Sequence, residues 1–219
     1  MSLLPEARES RAAASRPALH ATDLHFAFDG VPVLKGVDIA LESGVVTAIA
    51  GPNGAGKSTL LEVIAGVRVP SQGRVARSGS IALVVQRIAA PDALPVTVRE
   101  VVTMGTWERR RTSRADARRR VTDALERVAL DELADRPFTA LSGGQRQRVL
   151  LAQGIARQAQ IFLLDEPASG LDSESRERTQ AILAEEAARG AAVACVTHDD
   201  AAIAIADRVV RLDGGVRVA

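Results

Sequence analysis

A chain of 219 residues, 47% hydrophobic and 25% charged, has enough apolar material for one large domain or two small ones. A net charge of +1 gives no global pull toward nucleic acid or anionic lipid, and 2% aromatics with no tyrosine exclude a surface for stacking successive bases. No stretch approaches the ~18 apolar residues of a membrane span, and the lone Cys195, inside the apolar run 193–196, reads as a buried, inert thiol.

Residues 1–17 carry Glu6, Arg8, Glu9 and Arg11 where a signal peptide needs its apolar segment. They read as a disordered N-terminal tail before an ordered domain over 18–219, with a cytoplasmic location. Residues 24–28 and 31–34 flank Asp29-Gly30, the pattern of a hairpin, and 37–41 alternate as a third strand. Residues 45–50 are apolar and β-branched enough for a buried strand. Gly51-Pro52-Asn53-Gly54-Ala55-Gly56-Lys57-Ser58-Thr59 follows, and Leu60, Leu61 and Ile64 then share one face of a helix. Strand, glycine-rich loop and helix form the context in which G-x-x-x-x-G-K-[ST] binds phosphate. Glycines let backbone N–H groups converge on one concavity, and the helix N-terminus adds partial positive charge. Lys57 can reach the outer phosphates and the Ser58 hydroxyl can ligate Mg²⁺. Gly66 ends that helix, and 73–85 supply two more strand-like runs before Gln86.

From about 87 to 160 the texture changes to a helical insert in an otherwise alternating α/β chain. Thr97 caps a helix through Val98, Val101 and Val102, and 114–130 repeat the helical pattern with Val121, Ala124, Leu125 and Val128 on one face. A basic run, Arg109, Arg110, Arg111, Arg114, Arg118, Arg119 and Arg120, is either a solvated face or a contact for an acidic partner or lipid headgroups. Ser142-Gly143-Gly144-Gln145 opens another helix. Two glycines there disfavour the helix itself, which makes sense where something must approach the backbone closely, an anion being the natural candidate. Residues 161–164 read as a strand buried on both faces, ending in Asp165-Glu166 at the sheet edge where open α/β proteins place ligands. A helix cap or a surface turn is the lesser reading of that pair, and the phosphate loop lowers it further. Asp172 or Ser173 caps a helix to about residue 188, and 191–197 form a strand ending at His198. Residues 208–212 and 216–218 flank a last hairpin turn.

Taken together, the phosphate loop, Gln86, Ser142-Gly143-Gly144-Gln145, Asp165-Glu166, Ser169-Gly170-Leu171-Asp172 and His198 resemble, in order and spacing, the nucleotide-binding subunit of ATP-binding cassette (ABC) transporters. The likeness covers residues 18–219. It implies an α/β, phosphate-loop NTPase (RecA-like) core with an N-terminal antiparallel β subdomain and an inserted helical subdomain at about 87–160. It implies ATP as substrate, Mg²⁺ as cofactor, and ATP contacts from Phe28 and from the loop residues Gly51, Pro52, Asn53, Gly54, Ala55, Gly56, Lys57, Ser58 and Thr59. Phe28 stands where the family stacks an aromatic, more often tyrosine, on adenine. By the same likeness Ser58, Gln86 and Asp165 serve Mg²⁺, Glu166 is the general base, and Lys57 and His198 steady the phosphates. Ser142, Gly143, Gly144 and Gln145 act on the ATP of a second copy, with Asp172 coupling the pair, so a homodimer closes around two nucleotides. The remaining implied partners are a membrane permease at the cytoplasmic face and a separate solute-binding protein, and no nucleic acid. The segment Gln86-Arg87 with 95–105 is similar to that of zinc and manganese importers, although Val85 and Thr106-Trp107 depart from their pattern. Alternatives are siderophore-iron or cobalamin uptake, efflux, a soluble non-transport ABC ATPase, and an inactive homologue. Intact Lys57, Asp165, Glu166 and His198 argue against the last.

Overall fold

The computed structural model describes residues 17–84, 96–107 and 113–218. Gln86, the chain before Pro17, and Arg109, Arg110 and Arg111 lie outside the described residues. Strands β1 (Pro17–Phe28) and β2 (Val31–Glu42) form an antiparallel hairpin turned by Asp29 and Gly30, at φ +48° and +82°. β2 runs straight through the residues expected to divide into two strands. The cause is Gly36, at φ +76°: Leu24 pairs with Val37 and His25 with Lys35, so Gly36 is an extra residue bulged from the ladder. A glycine bulge bends a strand without ending it.

β3 (Val46–Ala50) leads through the glycine-rich loop into α1 (Lys57–Ala65), which stops at Gly66 in the left-handed conformation. β4 (Gln72–Arg77) then pairs with β1, completing a three-stranded antiparallel sheet of order β2-β1-β4. β5 (Ile81–Val84) begins a second sheet. Helices α2 (Val98–Met104), α3 (Arg114–Arg127) and α4 (Gly143–Ala156) follow, with two 3₁₀ turns between the last two. The chain continues through β6 (Ile161–Asp165), α5 (Ser173–Ala188), β7 (Ala192–Val196), α6 (Asp200–Ile205), β8 (Arg208–Asp213) and β9 (Val216–Val218). The second sheet has order β5-β6-β7-β3-β8-β9, parallel except for β9. α6 is an element that the sequence pattern does not announce. It is one short turn and a half with no buried residue, so it leaves no apolar periodicity to detect.

The uninterrupted apolar strands follow from burial on both faces. Ile161 and Leu163 of β6 join one core, with α1 and the antiparallel sheet, while Phe162 and Leu164 join the other, with α2 to α5. Period-2 alternation therefore separates two apolar environments, and hydrophobicity does not alternate. In the helical insert, Thr97 and Glu100 make a reciprocal capping box on α2, and Val98, Val101 and Val102 are buried. Val121, Ala124, Leu125 and Val128 are buried together, as their spacing predicts. Of the described basic run, Arg114, Arg118 and Arg119 are exposed or partly so and Arg120 is half-buried. Arg127 of α3 pairs with Glu186 of α5 in a mostly dry contact, tying the insert to the core.

α4 lies close against the sheet because of Gly154. A Cβ there would stand 2.7 Å from Ala82 Cβ and 2.8 Å from Phe162 Cε1. Gly154→Ala is expected to cost about 1–3 kcal/mol despite the better helix former, because overpacking outweighs a propensity gain of under about 1 kcal/mol. A urea midpoint equal to or above that of the parent would contradict this packing.

Candidate functional site

α1 differs from the other helices at its start. Side chains of Thr97, Ser113, Ser142, Asp172 and Asp199 cap α2 to α6, whereas α1 begins at Gly56, φ +94°, with no side-chain cap. Its first N–H groups thus lack a side-chain acceptor and face the loop with the helix's partial positive charge, the arrangement that receives an anion. Lys57 is 7% exposed, and its Nζ donates to the carbonyls of Gly51 and Pro52, each at 2.8 Å. The ammonium closes the loop on itself and keeps a third N–H for a further acceptor. Two glycines are fixed by close approach as well as by φ. A Cβ on Gly51 would overlap the Leu212 carbonyl, and one on Gly56 would lie 3.0 Å from the Val33 carbonyl. The loop is wedged between β2 and β8, while Pro52, Asn53, Gly54 and Ser58 remain exposed.

β6 brings the two acidic residues to this edge. Asp165, the last residue of β6, pairs with Val196 of β7, which itself pairs with β3. The Ser58 hydroxyl lies near enough to favour the ionised form of the Asp165 carboxyl, which places the predicted magnesium pair on one edge. Burial pushes the Asp165 pKa up, with Glu166 and Glu62 adding like charge, against the pull of Ser58 and Lys57. Glu166 follows in the left-handed region at φ +47°, rare for a residue with a Cβ and costing about 1 kcal/mol or more. Its N–H donates to the Val196 carbonyl at 3.0 Å. That bond holds the chain against β7 and turns the side chain toward His198, whose Nδ1–H donates to Glu166 Oε1 at 3.1 Å. Glu166 is 19% exposed and His198 64%. Both line an open cleft of about 420 Å³ with Ser169, Gly170, Arg176 and Asp199. A smaller crevice under α6, floored by Cys195, is apolar and lacks convergent polar groups. Cys195 is partly buried, not fully so as its sequence context predicts, and the loss of hydration still pushes its thiol up to about 12, which disfavours the reactive thiolate.

Ser142 to Gln145 form a second reciprocal capping box. Ser142 Oγ accepts from Gln145 N–H at 3.2 Å, and Gln145 Oε1 accepts from Ser142 N–H at 3.0 Å. Gly144 is explained inside the chain, since a Cβ would collide with Ser175 of α5. Gly143 is exposed, and a Cβ at that position would meet only Leu171 Cδ2, at 3.7 Å, so room for an outside group remains there alone. Asp172, not Ser173, caps α5 by accepting from Ser175 N–H at 2.7 Å, which also holds its pKa down. Phe28 ends β1 and is 40% exposed. Sequence pattern gives no sign of Glu62, near Asp165, or of Arg176 and Asp199, in the cleft, which sit 3.8 Å apart. None belongs to a motif, and their only signal is tertiary.

Residues 34–169 match the family model described as ABC transporter. The chain is 38% identical over 210 residues to the zinc transport system ATP-binding protein TroB of Treponema pallidum, covering 90% of this chain and 78% of that one. It is 41% identical over 199 residues to the hemin import ATP-binding protein HmuV of Streptomyces coelicolor, covering 85% and 71%. Among solved structures it is similar to cbiO1 from Clostridium perfringens, part of the ABC transporter complex cbiONQ. The TM-score is 0.81 and the identity 30%, over 93% of this chain and 87% of that one.

The raised Asp165 pKa has a stability consequence of definite sign. A carboxyl that resists ionisation in the folded state opposes folding above its folded pKa, and the penalty fades as pH falls to its unfolded value. Asp165→Asn, which keeps a hydrogen-bonding group beside Ser58, is expected to raise the nucleotide-free melting temperature at neutral pH by about 2–4 °C. The gain should vanish near pH ~4. Calorimetry across that range would contradict the assignment if the variant were less stable at neutral pH.

Proposed function

The chain belongs to the ABC transporter family as an ATP-binding domain with a phosphate-loop NTPase fold, and on that premise we propose that it energises import of a divalent metal cation, zinc first and manganese second. The family hydrolyses ATP to power transport. The single observation carrying the site assignment is the helix start left without a side-chain cap, facing the edge where Asp165 and Glu166 emerge.

On this reading the N–H groups at the start of α1 and the Lys57 ammonium hold the triphosphate, and Pro52, Asn53, Gly54 and Ala55 carry backbone around it. The Ser58 hydroxyl and Asp165 carboxylate are hard oxygen donors close to one another, which fits Mg²⁺. Among the described residues no three His, Cys, Asp or Glu side chains group as metal ligands, so phosphate and water supply the rest of the shell. When bound, the ion neutralises developing charge on the phosphates. Glu166 takes the proton of the attacking water, and His198 fixes the carboxylate's direction through Nδ1. Gln86 serves as the cation sensor, and Thr59 joins the loop residues that contact the phosphates. Phe28 stacks on the adenine.

Two copies close on two ATP molecules, with Ser142, Gly143, Gly144 and Gln145 of one facing the nucleotide of the other and Asp172 coupling them. We divide the chain at about 87–160 into core and helical subdomain, the latter facing a membrane permease at the cytoplasmic face, with a solute-binding protein outside. The zinc assignment is supported by the likeness of 95–105 to zinc and manganese importers and by the relative named for zinc transport. A second reading, uptake of an iron chelate or cobalamin, draws support from the relative named for hemin import at comparable identity.

Glu166→Gln is expected to lower kcat by about 100-fold or more with little change in nucleotide affinity, and to give a dimer with ATP on gel filtration. Full turnover, or a monomer at saturating ATP, would overturn the shared-site scheme. Deleting the gene should lower zinc uptake and growth in zinc-poor medium. Loss confined to an iron chelate or cobalamin would favour the second reading.

A further inference from the structure

Arg68, three residues past the end of α1, belongs to none of the motifs, yet it lies against Phe28. Its guanidinium sits over the Phe28 ring, 4.6 Å from the centroid, and 5.7 Å from that of Phe26. The two rings meet edge to face, 4.9 Å apart at 80°. Arg68 Nε donates to the Glu62 carboxylate of α1, and its backbone N–H donates to the Glu62 carbonyl at 3.3 Å. The turn beyond is fastened to β1, where Ser71 N–H donates to the His25 carbonyl at 2.8 Å. The cation is therefore anchored to the helix that follows the phosphate loop while resting on a ring of the first strand.

This geometry decides how Phe28 presents itself. A phenylalanine has no polar handle, so only packing can fix its direction. Arg68 lies over the ring and Phe26 meets it at a near-perpendicular angle, yet Phe28 is still 40% exposed, so part of the ring stays open to a further contact. We propose that Arg68 is a positioning residue for nucleotide binding: it holds the Phe28 ring in one orientation so that its exposed part is presented, already ordered, to a purine base. The proposal rests on Phe28 being the base-stacking residue. Ordering an exposed side chain only on binding weakens affinity, and an interaction that fixes it beforehand removes that cost. The guanidinium contact and a base contact would then both act on the one ring.

The test compares Mg-ATP with inorganic tripolyphosphate, which has the phosphates without a base, binding to full-length parent, Arg68→Met, Arg68→Lys and Phe28→Ala. Arg68→Met is expected to weaken ATP about three- to fivefold, seen in KM rather than kcat. Tripolyphosphate affinity should stay at the parent value, and Arg68→Lys should recover part of the loss. Equal losses for both ligands, or none for ATP, would overturn the role of Arg68, the first outcome marking a merely structural contact. Phe28→Ala separates the two levels. If it weakens ATP but not tripolyphosphate while Arg68→Met weakens neither, Phe28 stands and Arg68 falls. If Phe28→Ala leaves ATP binding unchanged, both fall.

Discussion

The arrangement at the sheet edge depends on one constraint: a buried ammonium must be satisfied by the loop that surrounds it. Lys57 is nearly dry, and its partners are two carbonyls of its own turn. Leaving such a charge buried without hydrogen bonds would cost several kcal/mol, so loop conformation and lysine position fix each other. The glycines follow from that closure, since Gly51 passes the Leu212 carbonyl and Gly56 the Val33 carbonyl without room for a side chain. Both sheets are thereby engaged in one turn. The antiparallel hairpin touches it through Val33, and the last long parallel strand through Leu212. The terminal hairpin leans on the same place, with the Gly215 carbonyl accepting from Lys35 N–H at 2.8 Å.

Around this cation the acidic groups are unevenly served. Asp165 has Ser58 and the nearby Lys57 in its favour but burial, Glu166 and Glu62 against it. Such a carboxylate is held against its preference for the ionised form, the kind of perturbation that clusters at functional sites. Glu62 is partly neutralised by Arg68, so the same helix links the acidic sheet edge to the exposed ring of Phe28. Glu166 adds backbone strain. Its left-handed conformation is held by a bond to β7, and sheet pairing next to it supplies the restraint that strain requires. Strong local interactions thus keep functional groups in states they would not choose in isolation.

What the sequence disclosed and what it withheld divide along physical lines. Features written in contiguous residues were legible: the strand–loop–helix unit at 46–65, the cap at Thr97, the apolar face of Val121, Ala124 and Leu125, and the terminal hairpin. Sequence and structure part where a glycine has a second meaning. Gly36 reads as a strand end but acts as a bulge, and Gly144, besides opening the helix, makes room for Ser175. Contacts between distant segments were invisible, because no local pattern announces that residue 68 meets residue 28 or residue 176 meets residue 199.

The turn at 142–145 has a folding role within the chain that leaves one of its residues unexplained. Within the chain, Ser142 and Gln145 cap each other's backbone, and Gly144 seats the helix against Ser175. A folding role alone would account for a serine, a glutamine and the second glycine. It does not account for Gly143, which is exposed, makes no close approach, and costs helix stability of about 1 kcal/mol relative to alanine. The methyl-sized space beside it lies at a helix N-terminus, next to a serine hydroxyl whose proton is still available to donate. The residue that folding does not require is the one a neighbouring copy's phosphate would need kept bare.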